Sequence, residues 1–241
     1  MTLTEAQAPP LPAEAIILVG GLGTRLRATV PDLPKPLAPI AGRPFLHWLL
    51  EGLAHQGLRR IVLAIGYRGA MVREAVGRRY AGMAIDYAEE HEPLGTGGAI
   101  WAALDHCSGS HVFVLNGDTW LGAALAEIAG LAPSADLVIA VRQVPDRARF
   151  GSVLVDGDRV LGLEEKGRQG AGLVNGGIYL LRRDLPQRRP MAGAFSLEHE
   201  ILAQPATLDI RVFRTDAPFI DIGTPEDYVR AQELLPRWAA A

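Results

Sequence analysis

The chain has almost no cysteine. Cys107 is the only one in 241 residues, which excludes an intrachain disulfide and leaves no thiolate cluster for a metal, so it reads as a structural thiol. Positive charge is not in surplus either: 24 lysines and arginines against 27 aspartates and glutamates give a formal net charge of −3. Nothing general therefore attracts nucleic acid or an anionic membrane, and any phosphate has to be captured locally. Long apolar runs are missing as well, none approaching the roughly 20 residues of a membrane span. Residues 1–12 carry Glu5 and three prolines with no basic start before an apolar stretch, unlike a signal peptide. The histidines, among them His47, His55, His106 and His199, show no metal spacing and read as surface or packing residues. The expectation is a cytoplasmic protein with a flexible leader over 1–14 and a single domain over 15–241.

Hydrophobic residues make up 49% and charged residues 21%, which suits a globular protein with a sizeable core. Apolar runs at residues 15–19, 60–66, 83–87 and 111–115 read as strands. Helical spacing over 45–56, stopped by Gly57, and over 71–80 separates them. Strands alternating with helices predict a mainly parallel α/β sheet covered on both faces, of Rossmann-like type, with ligands at the carboxyl ends of strands. After a strand at 136–141 the runs shorten. Residues 152–155 and 159–163 flank Asp156-Gly157-Asp158 as a hairpin, and 174–181 and 210–213 add strands, so the second half carries antiparallel additions. Residues 225–238 close the chain as a helix capped by Thr224, with Pro225 in its first turn.

The first strand empties into Gly20-Gly21-Leu22-Gly23-Thr24-Arg25-Leu26. Glycines let backbone N–H groups approach an anion, and Arg25 adds a planar fork of donors. A dinucleotide fingerprint would need a glycine where Leu26 stands, and a Walker loop would need Lys-Ser or Lys-Thr after the last glycine. Lys35 follows between Pro34 and Pro36, which bias the segment towards extended backbone and stiffen the arm that holds its ammonium. Asp118 in Asn116-Gly117-Asp118-Thr119, and Asp221 in Ile220-Asp221-Ile222-Gly223, each put a carboxylate beside or near a glycine at a strand end. Sparse hard oxygen ligands of this kind suit Mg²⁺ rather than zinc.

Gly20 to Leu26, taken together with Pro34-Lys35-Pro36-Leu37, resembles the signature of the sugar-1-phosphate nucleotidylyltransferases. Val30-Pro31-Asp32-Leu33-Pro34-Lys35-Pro36 is most similar to the D-glycero-α-D-manno-heptose 1-phosphate guanylyltransferases among them. The resemblance runs from residue 15 to about 234. It implies a nucleotide-diphospho-sugar transferase fold in which a nucleoside triphosphate, GTP on the closer match, reacts with a sugar 1-phosphate to give a nucleotide sugar and pyrophosphate. On that resemblance Arg25 and Lys35 are catalytic, Asp118 and Asp221 hold Mg²⁺, and Gly20, Gly21, Gly23, Thr24, Gly95, Thr96 and Gly97 bind the nucleotide. Gly95-Thr96-Gly97 lies before a helix expected near Ala99. Phe150-Gly151, Glu164-Glu165-Lys166 and Val174-Asn175-Gly176-Gly177 resemble acceptor motifs, assigning Gly151, Glu165, Lys166 and Asn175 to the sugar phosphate. In the usual motif alanine stands where Gly176 does. Mannose-1-phosphate guanylyltransferase, a UTP- or dTTP-using enzyme, and a non-catalytic nucleotide-sugar-binding regulator remain alternatives, and the sequence leaves oligomeric state open.

Overall fold

The computed structural model describes residues 11–21, 26, 29–164, 167–205 and 208–240. Along the chain come β1 (Glu14–Leu18), the small ribbon β2 (Pro39–Ile40) and β3 (Arg43–Pro44), α1 (Phe45–His55), β4 (Arg60–Ile65) and α2 (Gly69–Val76). Next are β5 (Arg79–Tyr80), β6 (Met83–Glu89), α3 (Gly95–Leu104), β7 (His111–Asn116), β8 (Thr119–Leu121) and α4 (Leu125–Ala129). The second half holds β9 (Leu137–Val144), β10 (Ser152–Asp156), β11 (Arg159–Glu164), β12 (Gly172–Arg182), α5 (Leu185–Arg188), a π-helix (Leu197–Leu202), β13 (Ile210–Thr215), β14 (Phe219–Asp221) and α6 (Pro225–Ala239). Among the described residues no helix is long and apolar enough to cross a membrane.

Ten strands form one sheet in the order β10-β11-β13-β9-β12-β7-β1-β4-β6-β5. The block β7-β1-β4-β6 is parallel, as expected of its buried runs. The antiparallel pieces of the second half extend this sheet through β12, which pairs antiparallel with β7 and β9, while β13 runs parallel to β9. Alternate residues of each central strand feed opposite layers. Ile17, Leu63 and Leu115 pack with Leu50 and Leu53 of α1, Val72 of α2 and Ile128 of α4. Ile16, Val62 and Val114 pack with Ile100 and Leu104 of α3 and Ile201 and Leu202 of the π-helix. A third cluster joins Ile40, Phe45, Trp48, Trp120, Ile220, Ala231 and Leu235, fixing α6 and the ribbon β8–β14 to the segment that carries Lys35.

Two helices differ from expectation. The helix expected over 71–80 runs Gly69–Val76, because Gly77 (φ 71°) leaves the helical region, and Tyr80 belongs to an edge strand that turns back through Ala81 and Gly82, both at positive φ. The helix expected near Ala99 starts at Gly95, so the glycine stretch is its first turn. The hairpin at Gly157 (φ 56°) and the cap of α6, where Thr224 Oγ1 accepts from the Asp227 N–H at 3.3 Å, are as expected. Cys107 is buried, and burial pushes its thiol up to about 12, which makes it inert as a nucleophile.

Glu14, assigned to the leader from the sequence, opens β1 and is buried. Its carboxylate accepts from the backbone N–H groups of Ser108 (2.8 Å) and Gly109 (2.7 Å), from the Ser108 hydroxyl and from Arg60 at 2.9 Å. Burial pushes its carboxyl up, but these donors outweigh burial and hold it below its ordinary value of 4.5. A depressed folded-state value stabilises the fold above the unfolded value, and that contribution disappears as pH falls through the folded one. Glu14→Gln is therefore expected to cost about 2–3 kcal/mol near neutral pH, since it weakens a buried charge-assisted cluster. Urea unfolding of both proteins checks this: the gap should narrow in acid, and a gap independent of pH refutes the assignment.

Candidate active site

β1 is the point where strand order reverses, with β4 on one side and β7 on the other. A crevice opens outside the carboxyl ends of parallel strands at such a switch point. Here it is a cavity of about 300 Å³ lined by Val19 and Gly21 after β1, Asn116, Gly117 and Asp118 after β7, and Lys35. Gly117 has to be glycine, because a Cβ there would run into the Leu18 carbonyl and Val19. That close approach of the two strand ends sets Asp118 at the cavity wall.

Lys35 is not the solvated loop residue that a lysine between prolines usually is: its side chain is only 10% exposed. Pro34 is extended (φ −64°, ψ 145°), as expected. Lys35 itself opens a 3₁₀ turn, in which its carbonyl accepts from Ala38, and Pro36 sits where a helix start needs no N–H. Pro36 and Leu37 are buried, and from this anchored turn the ammonium donates to Asp118 Oδ2 at 2.5 Å and Asp221 Oδ1 at 3.3 Å. The two aspartates, 103 positions apart by their numbers 118 and 221, are brought together because β8 pairs with β14, Thr119 opposite Asp221.

Burial first, and then the charge of Asp118, push the Asp221 carboxyl up; Lys35 and the Gly223 N–H bring it part of the way back. Two carboxylates sharing one ammonium leave surplus negative charge, which fits a divalent cation. No cluster of three His, Cys, Asp or Glu exists among the described residues. Mg²⁺ needs none, since it takes one or two carboxylates with substrate phosphates and water.

Two larger spaces flank this centre. The first, about 540 Å³, is lined by Gly20, Gly21, Gly66, Glu90, Gly95 and Thr96, among others. Glu90 reaches over Gly20 and Gly66, where added Cβ atoms would meet its Oε1 at 2.6 and 2.5 Å, while Oε2 accepts from the Leu94 N–H. Those two glycines make room for a carboxylate. Thr96 also lines the central cavity, but its hydroxyl is committed: it donates to Glu198 at 2.6 Å and accepts from the Leu197 N–H. Gly97 is packed against Phe195. Its N–H donates to the Phe195 carbonyl at 3.0 Å and a Cβ on it would run into the Phe195 ring, so packing by itself requires glycine here.

The second space, about 640 Å³, is lined by Arg149, Phe150, Gly151, Glu164, Asn175 and Glu198, with Asp221 at its edge. Asn175 donates to the buried Tyr179 hydroxyl at 2.5 Å and accepts from the Gly177 N–H, leaving its second amide hydrogen. Glu164 pairs with Arg147 at 3.1 Å and Arg168 at 3.2 Å. Gly176 is tight: a Cβ would lie 2.8 Å from Leu121 and 3.0 Å from the Ala140 carbonyl. Gly23, Thr24, Arg25, Glu165 and Lys166 lie outside the described residues.

Sequence reading missed Glu90, Arg149 and Glu198. Glu198 stands in the π-helix and lines both the central cavity and the 640 Å³ space. A signal for that turn existed: Ser196 caps it, accepting from Glu198 and His199 N–H groups while Glu200 accepts from the Ser196 N–H.

A glycine-lined switch-point crevice, a lysine between two carboxylates and a cavity on either side suit nucleotidyl transfer. The chain belongs to the nucleotidyl transferase family, whose profile matches residues 14–237. Within it the chain is a sugar-1-phosphate nucleotidylyltransferase. It is 40% identical over 228 residues to the D-glycero-α-D-manno-heptose 1-phosphate guanylyltransferase of Aneurinibacillus thermoaerophilus, covering 93% of this chain and 99% of that one. It is 37% identical to the mannose-1-phosphate guanylyltransferase of Mycobacterium tuberculosis, covering 94% of this chain and 66% of the relative. The crystal structure of HddC from Yersinia pseudotuberculosis complexed with GMP-PN superposes with a TM-score of 0.84 at 39% identity, over 92% of this chain and 98% of that one.

Proposed function

We propose that this enzyme joins GTP to D-glycero-α-D-manno-heptose 1-phosphate, releasing pyrophosphate and leaving GDP-heptose. The observation that carries the reading is the position of Lys35 and its two aspartates between a cleft suited to a nucleoside and a cavity suited to a sugar. The choice of substrates is supported by near full-length similarity to a heptose guanylyltransferase and by the nucleotide analogue in the related HddC structure. Carboxylates line the nucleoside cleft: Glu90 and Glu92 can only accept hydrogen bonds when ionised. Guanine offers two adjacent donors on its pairing edge, N1–H and the N2 amine, where uracil and thymine offer a single N–H between two carbonyls.

In this mechanism an oxygen of the sugar's phosphate attacks the α-phosphorus of GTP. One P–O bond forms, the bond from the α-phosphorus to the bridging oxygen breaks, and the electron pair leaves with pyrophosphate. The attacking group is already an anion, so no general base is needed, and the protein's work is alignment and charge neutralisation. Lys35 supplies a fixed positive charge at the junction of the two substrates, and the resemblance gives Arg25 the same work on the triphosphate. Asp118 and Asp221 would hold Mg²⁺, which when bound supplies charge stabilisation to the phosphates. On the acceptor side Asn175 and Gly151 face the sugar, with Glu165 and Lys166 assigned by resemblance alone.

A matrix of nucleoside triphosphates against sugar 1-phosphates, read by pyrophosphate release, tests the reading. The expected order of kcat/KM puts GTP above UTP, dTTP, CTP and ATP, and heptose 1-phosphate above mannose 1-phosphate. A site that hydrogen-bonds the extra hydroxymethylene rejects mannose by about 10⁴- to 10⁵-fold, a merely roomy one by about 10- to 200-fold. Preference for UTP or dTTP with another hexose phosphate overturns the substrate assignment and leaves the reaction class standing.

A further inference from the structure

The acceptor cavity has a cation that neither the motifs nor the resemblance assigns. Arg149 precedes Phe150-Gly151, lines the cavity and is half exposed. One of its terminal nitrogens, Nη2, is held in place: it donates to Thr224 Oγ1 at 3.0 Å and to the Asp227 carboxylate. Asp227 is buried in the first turn of α6 and also accepts from Arg230 at 3.0 Å. Two guanidinium groups thus share one carboxylate, and the cluster keeps a net positive charge of about one. Phe150 adds an edge contact on Phe219, ring centroids 5.7 Å apart, two positions before Asp221. The loop bearing Arg149 is therefore pinned at two points to the segment bearing Asp221, and Arg149 lies close enough to feel the charge of Asp221.

A sugar 1-phosphate entering this cavity brings a phosphate that has to arrive at the Lys35–Asp221 end. Glu198 and Glu164 on the other walls repel that phosphate and suit sugar hydroxyls. We propose that Arg149 binds the phosphate of the acceptor, and that Asp227 is a positioning residue which holds the guanidinium towards it. The proposal rests on the transfer reaction described above and adds a second phosphate ligand to Lys166, which the resemblance gives to the phosphate group of the sugar phosphate. Arg149 has five donor hydrogens, and the bonds to Thr224 and Asp227 leave Nη1 and Nε to meet phosphate oxygens.

The test is steady-state kinetics of pyrophosphate release, varying heptose 1-phosphate or mannose 1-phosphate at saturating GTP and then the reverse. Arg149→Ala is expected to raise KM for the sugar phosphate about 10- to 100-fold and to leave KM for GTP within about threefold, the loss of one charge-assisted contact. Arg149→Lys should recover part of that affinity, because it keeps the charge and loses the fork. Asp227→Asn should raise the same KM by a smaller factor, without the loss of GTP affinity that general unfolding would bring. Addition of guanidinium ion at millimolar concentration should restore turnover to Arg149→Ala and not to the parent protein. An unchanged sugar-phosphate KM in Arg149→Ala overturns the proposal. So does an equal rise for both substrates. A parent protein that releases no pyrophosphate with any pair would instead overturn the reaction itself, so the two failures are distinguishable.

Discussion

Lys35→Ala is expected to lower kcat by about 10²- to 10³-fold while moving the KM for the nucleoside triphosphate far less. The ammonium is anchored on a turn with buried Pro36 and Leu37, bonded to both aspartates and nearly closed off from water. In such a site a fixed charge acts on the charge that builds between the two phosphates, at little cost in reorganisation. Its removal has a second effect. Lys35 now lowers the Asp221 carboxyl against burial and the charge of Asp118. Without it that carboxyl climbs, so its charged form is lost at higher pH and the acid limb of the rate profile should move upward. Pre-steady-state and pH-dependent kinetics measure both changes. If KM alone rises and the pH profile stays still, Lys35 only binds, and the electrostatic role is wrong.

Neutralising either aspartate should be at least as damaging. Asp118→Asn and Asp221→Asn are each expected to remove more than about 10³-fold of turnover at limiting Mg²⁺, because a carboxamide keeps the shape of the ligand and loses its charge. The fold should persist. In Asp221→Asn the amide oxygen can still accept from the Gly223 N–H, which now bonds Asp221 Oδ1 at 2.6 Å, and β8–β14 pairing is a backbone matter. Circular dichroism and the urea midpoint establish folding, and a Mg²⁺ titration of the rate reads the metal requirement. Parent-like rates for both variants at low Mg²⁺ would take the two aspartates out of the site.

Strands and helices of the first half were legible because their signals are local. A run such as Ala15-Ile16-Ile17 is buried on both faces of the sheet, and its shortness, β-branched residues and following glycines mark it as a central strand. Failures came where a local signal was overruled. Tyr80 continues a helical spacing but lies past Gly77, and the turn through Ala81 uses a positive φ that alanine does not advertise. The packing demand on Gly97 was equally invisible, because the Phe195 ring against it is 98 positions away by number. Glu90, Arg149 and Glu198 carry no motif. Their importance comes from what lies opposite them.

By itself the sequence determined the alternation of buried strands and helices, and with it a sheet whose glycine-rich first turn and Asp118 both fall at strand ends. It also determined the chemistry on offer, namely a stiffened lysine, two glycine-adjacent carboxylates and no thiol or histidine cluster. These follow from the residue types and their near neighbours in the chain. Only the tertiary structure decided that Lys35 lies between Asp118 and Asp221, that Thr96 spends its hydroxyl on Glu198, and that Arg149 pairs with Asp227. Pairings of that kind depend on strand order and on the β8–β14 register, and backbone hydrogen bonds between distant segments leave no mark in either segment's sequence.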